Sequence, residues 1–229
     1  MANREKASSI LRKVLMALSG VFLMVFLFQH LLINSFSVLS ASLFNKVSHF
    51  MGTNYLVQFI LQPVLMFGVI FHLIMGMYLE RKNNSARPIK YAMQKPSNNS
   101  SWISRNMIVT GVMIMLFLAL HFYDFWIPEI KTKYIDGDMS GLHNGEFRYW
   151  HELNHKFHDI YRVCIYCVAF VFLSLHLMHG FQSAFQTAGI SNSKYMPIIK
   201  LIGYGYAIVI PLGFILIAIY HYVFSDTLL

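Results

Sequence analysis

Five long apolar runs dominate this chain and leave little freedom in what it can become. They extend from Arg12 to Val38, Tyr55 to Glu80, Ile103 to Ile127, Ile160 to Gln186 and Met196 to Val223. Each is at least as long as the roughly 20 residues that a helix needs to cross a bilayer. In hydrocarbon every backbone polar group must be satisfied internally, so a run of this kind spans as an α-helix. Of the 229 residues, 56% are hydrophobic and only 12% are charged, too little charge to cover the surface of a water-soluble domain of this length. The expectation is an all-α membrane protein, with residues 1–229 forming one domain of five transmembrane helices. The first run is too long for a signal-peptide core and has no small-residue cleavage site, so it is expected to be retained.

The formal net charge is +8, and its placement matters more than its size. Arg4, Lys6, Arg12 and Lys13 precede the first span. Arg81, Lys82, Arg87, Lys90, Lys95 and Arg105 follow the second, and Lys194 and Lys200 follow the fourth. Basic residues collect in cytoplasmic loops. The pattern therefore puts the N-terminus in the cytoplasm and the C-terminus outside, and it implies a membrane rather than a nucleic-acid partner.

The segment from Arg81 to Ser104, rich in Asn, Ser and basic residues, reads as a polar surface loop. It is suited to meeting a soluble partner. Between the third and fourth spans lies a long segment of mixed charge. Its second half sets Phe147, Trp150, Leu153 and Phe157 at helical spacing, as an interfacial helix would. Cys164 and Cys167 form a C-x-x-C, but within an apolar helix and without the following His of covalent haem attachment. They are read as packed core cysteines. Pro211, Gly203, Gly205 and Gly213 suggest a kinked, closely packed fifth helix.

The histidines carry the chemical signal. His72-Leu-Ile-Met-Gly76 and His176-Leu-Met-His-Gly180 share an H-x-x-x-G spacing in spans two and four. Ser19-Gly20 precedes His30, and Thr110-Gly111 precedes His121, in each case with ten residues from glycine to histidine. At a rise of 1.5 Å per residue, His30 and His121 sit roughly 27 Å from the inner face, and His72 and His176 roughly 26 Å from the outer face. The four histidines thus fall at two depths about 13 Å apart. Gly20 and Gly111, roughly 15 Å below their own histidines, lie at the inner level, where a flat ring would press against them.

Neutral imidazoles in pairs suit a six-coordinate haem iron used for electron transfer. The pairs are His30 with His121 at the outer level and His72 with His176 at the inner level. With no attachment motif present, the group would be two haem b. His179 lies one turn beyond His176 and is the alternative ligand, while the shared spacing and the depth favour His176. His151, His155 and His158, at i, i+4 and i+7, read as the solvated face of an interfacial helix rather than a metal site. His49, His143 and His221 have no such pattern and read as loop or interface positions.

These residues resemble one family. His30-Leu31 with Asn34, His72-x-x-x-Gly76, Ser104-Arg105 with Thr110-Gly111 and His121, and the stretch from His176 to Gly189 resemble the single-chain, di-haem cytochrome b558 membrane anchors of bacterial succinate dehydrogenases. The likeness is to the Bacteroidota-like type, related to the anchors of quinol:fumarate reductases, and it extends over all five spans. It implies a multi-pass protein of the bacterial cytoplasmic membrane, surrounded by lipid and bound to a flavoprotein subunit and an iron–sulfur subunit. Electrons from succinate would pass through the inner and outer haems to menaquinone, with no succinate chemistry on this chain.

The resemblance also sets the quinone site near the outer haem, where the polar candidates are Asn34, His49, Gln58, Gln62 and Asp124. It makes Arg105 a candidate for an inner haem propionate or for docking the iron–sulfur subunit. Related fumarate reductases carry a membrane glutamate two positions before the fourth ligand, and Ser174 stands there in this chain. Two further readings compete. One is the cytochrome b subunit of a quinone-linked fumarate reductase, hydrogenase or formate dehydrogenase. The other is a haem-free transporter with its histidines in a proton relay.

Overall fold

A computed structural model describes residues 2–85, 106–143, 145–190 and 192–224. The polar loop after the second span and Arg105 lie outside the described residues. Five helices are long and apolar enough to cross a membrane: Ile10–Leu39, Val57–Asn83, Met107–Ile135, Ile160–Thr187 and Met196–Val223. They are built on α1 (Ala2–Leu39), α3 (Gln62–Ser85) with a π-helical turn Val57–Leu61 before it, α4 (Met107–His121) with further turns after it, α6 (Ile160–Thr187) and α7 (Met196–Val223). Two shorter helices, α2 (Ala41–Thr53) and α5 (Tyr149–Phe157), cap one end. A small antiparallel hairpin of β1 (Leu142–His143) and β2 (Glu146–Phe147) lies beside them.

Local chemistry sets the helix ends. Ser40 caps α2 by accepting from the Leu43 N–H at 3.3 Å, and Asp159 caps α6 by accepting from Tyr161 N–H at 2.9 Å. The other end of α6 closes at Gly189, whose φ of +90° is open to glycine but costly for residues with a Cβ.

Helix α1 packs on α3, α6 and α7; α4 packs on α6 and touches α3. Four helices, α1, α3, α4 and α6, therefore neighbour one another around a ring, and α7 lies in the groove between α1 and α6. Close approach of α7 is built into its sequence: a Cβ on Gly203 would come within 2.7 Å of the Phe181 ring, and one on Gly213 within 2.9 Å of Leu31. Tyr206 ties the same face by donating to the Met24 carbonyl. The helix is continuous through Pro211. Two cores are stacked along the bundle. One gathers Phe44, Trp150, Phe157, Tyr166, Phe170 and Phe214 near the cap; the other gathers Ala17, Met24, Leu177, Phe181, Ala184 and Ala207 toward the opposite end.

Several details differ from expectation. The third spanning helix runs on to Ile135 through π-helical turns at Phe122–Trp126 and Lys131–Ile135, beyond the expected end at Ile127. Its buried Lys133 does not stop it because it is paired: Lys133 meets Glu129 at 2.6 Å, and Arg148 bonds both Glu129 and, at 2.7 Å, Glu152. Lys133 also donates to the Gly52 carbonyl. The segment after span one holds α2. The apolar face of α5, with Trp150, Leu153 and Phe157, is buried on the bundle end rather than left for lipid. Cys167 packs against the core, but Cys164 is exposed, because three residues' rotation carries it past the packed face.

Candidate functional site: two pairs of facing histidines

The four histidines of the repeated spacing come together in two pairs. His72 on α3 faces His176 on α6 with ring centroids 6.4 Å apart and planes at 68°. His30 on α1 faces His121 at the end of α4 with centroids 5.8 Å apart and planes at 84°. Each pair joins two helices of the ring that run the same way. All four side chains are half-buried. Two imidazoles bound to opposite sides of one metal ion, at about 2 Å per nitrogen, have centroids roughly 6 Å apart. Both separations fit a shared metal between the rings.

The inner pair, farther from the cap, is held by hydroxyls from neighbouring helices. Ser19 Oγ lies 2.9 Å from His72 Nδ1, and Thr110 Oγ1 lies 3.1 Å from His176 Nδ1. Each hydroxyl has one proton, and each donates it to the carbonyl three residues back, Ser19 to Met16 at 2.8 Å and Thr110 to Met107 at 2.9 Å. The oxygen is then an acceptor, so Nδ1 carries the imidazole proton and Nε2 keeps its lone pair. That is the tautomer a metal ligand requires. The adjacent glycines leave room for the rings: a Cβ on Gly20 would lie 3.5 Å from His72 Cε1, and one on Gly111 would lie 3.7 Å from His176 Cε1. Ser19-Gly20 and Thr110-Gly111 therefore make the same cradle twice. A Cβ on Gly76 would meet Met16 at 3.4 Å and one on Gly180 would meet Met107 at 3.5 Å, so these glycines seat the neighbouring helix one turn further on.

The outer pair sits among aromatic rings. Phe26 and Phe214 lie against His30, and Phe117 and Phe125 against His121. Asn34 gives its amide to the His30 carbonyl at 2.8 Å, and the same nitrogen is 3.4 Å from His30 Nδ1. His121 Nδ1 is buried without a hydrogen-bond partner. An orphaned buried nitrogen is costly unless something meets the ring. The facing imidazoles at both levels thus offer a pair of nitrogen donors that suits a metal ion between them.

The other sequence candidates occupy separate contacts. His49 stacks on Phe147 at 4.5 Å and lies 3.4 Å from the Tyr149 hydroxyl. Gln58 accepts from the Tyr134 hydroxyl at 3.3 Å, and Gln62 is half-buried. Asp124 is buried, with Arg162 Nε at 3.0 Å and the Tyr166 hydroxyl at 2.9 Å from Oδ2. Its carboxylate is thus engaged in a buried ion pair. His179 is half-buried one turn beyond His176. His151, His155 and His158 are exposed, and no group of three or more potential metal ligands occurs among the described residues.

Sequence reasoning missed His221. It is fully buried, with Nε2 2.9 Å from Ser37 Oγ and Nδ1 3.2 Å from Asn154 Oδ1, and Trp150 donates to the Ser37 carbonyl at 2.9 Å. These bonds fasten the end of α7 to α1 and α5. The available signal was a histidine closing an otherwise apolar helix. The cap network around Arg148 was missed as well. Burial opposes the Arg148 cation, but hydrogen bonds to Glu152 and Glu129 outweigh it and raise its pKa. Burial first, then the nearby Glu129 charge, pushes Tyr149 up to about 12.

Comparison with known proteins points the same way. The chain is 28% identical over 120 residues to the succinate dehydrogenase cytochrome b558 subunit of Bacillus subtilis (strain 168). The aligned part is 50% of this chain and 54% of that protein, so the chain spans about half the length of the curated relative it matches. No protein-family model and no solved structure matches the chain.

Proposed function

We propose that this chain is the di-haem cytochrome b membrane anchor of a succinate:quinone oxidoreductase. The observation that carries the reading is the pair of opposed histidine couples, 6.4 Å and 5.8 Å between centroids, at two levels of one four-helix ring. The cytochrome b558 relative supports it. In this reading the N-terminus is cytoplasmic, the cap of α2, α5 and the hairpin is outside, and the membrane is the bacterial cytoplasmic membrane. A flavoprotein and an iron–sulfur subunit dock on the cytoplasmic end.

His72 and His176 would hold an inner haem b and His30 with His121 an outer one. Bound there, the two groups supply one-electron transfer from the iron–sulfur subunit to menaquinone at the outer level. The chain's own residues do the rest. Ser19 and Thr110 hold the inner imidazoles as Nδ1–H tautomers and aim their Nε2 lone pairs inward. Gly20 and Gly111 keep that space free of side chains. Aromatic rings around His30 and His121 exclude water from the outer pair, which lowers the local dielectric and sharpens any nearby charge. Asn34, His49, Gln58 and Gln62 offer hydrogen-bonding groups toward the cap end, where a quinone headgroup would need them. Asp124, in the turn that follows His121, is held in its ion pair with Arg162.

The test is a reduced-minus-oxidised absorption spectrum of the purified chain with a haem count per polypeptide. Two haem b per chain, and co-purification with a flavin-bearing subunit, are the expected results. One haem or none would overturn the reading. Two haems with a hydrogenase or formate dehydrogenase partner would move the chain to another quinone-linked complex.

A further inference from the structure

Asp124 is the only acid buried among the described residues, at 2% exposure. It sits in the π-helical turn Phe122–Trp126 that begins directly after His121. Its Oδ2 takes both Arg162 and Tyr166, while Oδ1 is buried without a partner. Tyr166 in turn lays its ring against His121, with centroids 6.4 Å apart. The pair is unevenly shielded: the Asp124 side chain is 0% exposed and that of Arg162 is 24% exposed. Solvent screens the arginine more than the carboxylate, so the pair is not fully cancelled on its buried side, where Tyr166 links Asp124 to the His121 ring. The inner rings meet uncharged hydroxyls instead.

We propose that Asp124, Arg162 and Tyr166 form an electrostatic tuner of the outer redox centre: the Asp124 carboxylate lowers its reduction potential, and Arg162 limits that lowering. An oxidised iron centre carries one more positive charge than a reduced one, so a nearby negative charge favours the oxidised state. Tyr166 donates to the Asp124 carboxylate and lays its ring against His121, so it joins the two. These are positioning residues, which act on the centre through field and not through contact. The inference rests on the reading of His30 and His121 as ligands of one haem.

The test is a spectroscopic redox titration of the membrane-bound full chain in its complex, resolving the two haem transitions. Asp124→Asn is expected to raise the outer potential by roughly a tenfold change in the one-electron equilibrium, about 59 mV per tenfold. Arg162→Gln is expected to lower it, and the double variant to fall between, with the inner transition unmoved throughout. Opposite shifts are what a merely structural role would not produce. Shifts of the same sign, or none with both haems retained, overturn the proposal. Should Asp124→Asn lose the outer haem, Arg162→Gln decides alone: a fall supports the tuner, and no change or a rise overturns it. Loss of the outer haem in every variant also overturns it and assigns the group to assembly. A wild-type chain without haem at His30 and His121 would overturn both this proposal and the reading beneath it, whereas unshifted variants with two haems would overturn only this one.

Discussion

The inner and outer histidine pairs use the same side chain in two different settings. His72 and His176 are each fastened by a hydroxyl from the adjoining helix, and each has a glycine at its flank. His30 and His121 have aromatic rings around them, one distant amide and an unpartnered ring nitrogen. The inner pair is thus orientated by hydrogen bonds and the outer pair by packing. Where a hydroxyl selects the tautomer, ligand direction is set before anything binds. Where rings surround the imidazole, its direction is set by the packing of those rings. The repeat of the Ser19-Gly20/His72 cradle as Thr110-Gly111/His176 explains why two helical hairpins build one symmetric inner site.

The strongest way to break this contrast is to remove ligands one at a time. His176→Ala is expected to leave one haem per chain and to abolish the inner spectral band, and His121→Ala to do the same for the outer band. His179→Ala is expected to retain both, as counted by pigment extraction. A loss of the inner band in His179→Ala with retention in His176→Ala would exchange their roles.

Space is the next largest effect. Gly111→Leu would push a branched side chain into the His176 ring and is expected to empty the inner site while leaving the outer band intact. Gly111→Ala is expected to be tolerated, since its Cβ would rest at an ordinary 3.7 Å contact. Equal damage from both substitutions would mean that the glycine serves helix packing alone.

Hydroxyl removal should be milder and confined to one level. Thr110→Val leaves the His176 Nδ1–H without an acceptor, a cost of about 1–3 kcal/mol. The inner site is expected to hold its haem about 10–100-fold less tightly, with the outer site unchanged in the same titration. Ser19→Ala is expected to act likewise through His72. The smallest effect belongs to Asn34→Ala, which removes a bond to the His30 carbonyl. A stability loss of about 1 kcal/mol or less in thermal unfolding, with both haems kept, is expected. A large change in the outer band would make Asn34 a true partner of the His30 ring.

Much of this molecule was open to reading before any folding was considered. Five apolar runs are each long enough to cross a membrane as helices, and the steady helical rise puts His30 with His121 and His72 with His176 at common depths. What the chain order concealed lies in the contacts between helices. Glu129, Lys133, Arg148 and Glu152 look like loop charges one by one, and only their mutual pairing lets a spanning helix continue through them. Asp124 looks like an interfacial polar residue until Arg162 and Tyr166 arrive from α6. His221 looks like a helix-end residue until Ser37 and Asn154 close around it.

The sequence by itself determined the number of spans, their lengths and the level of each histidine, because hydrophobic length and rise per residue are properties of a single helix. The tertiary structure decided which rings face each other, which hydroxyl meets which imidazole and which charges could be buried. Those depend on how each helix is rotated about its own axis, and that rotation is set by packing against neighbours far away in the chain.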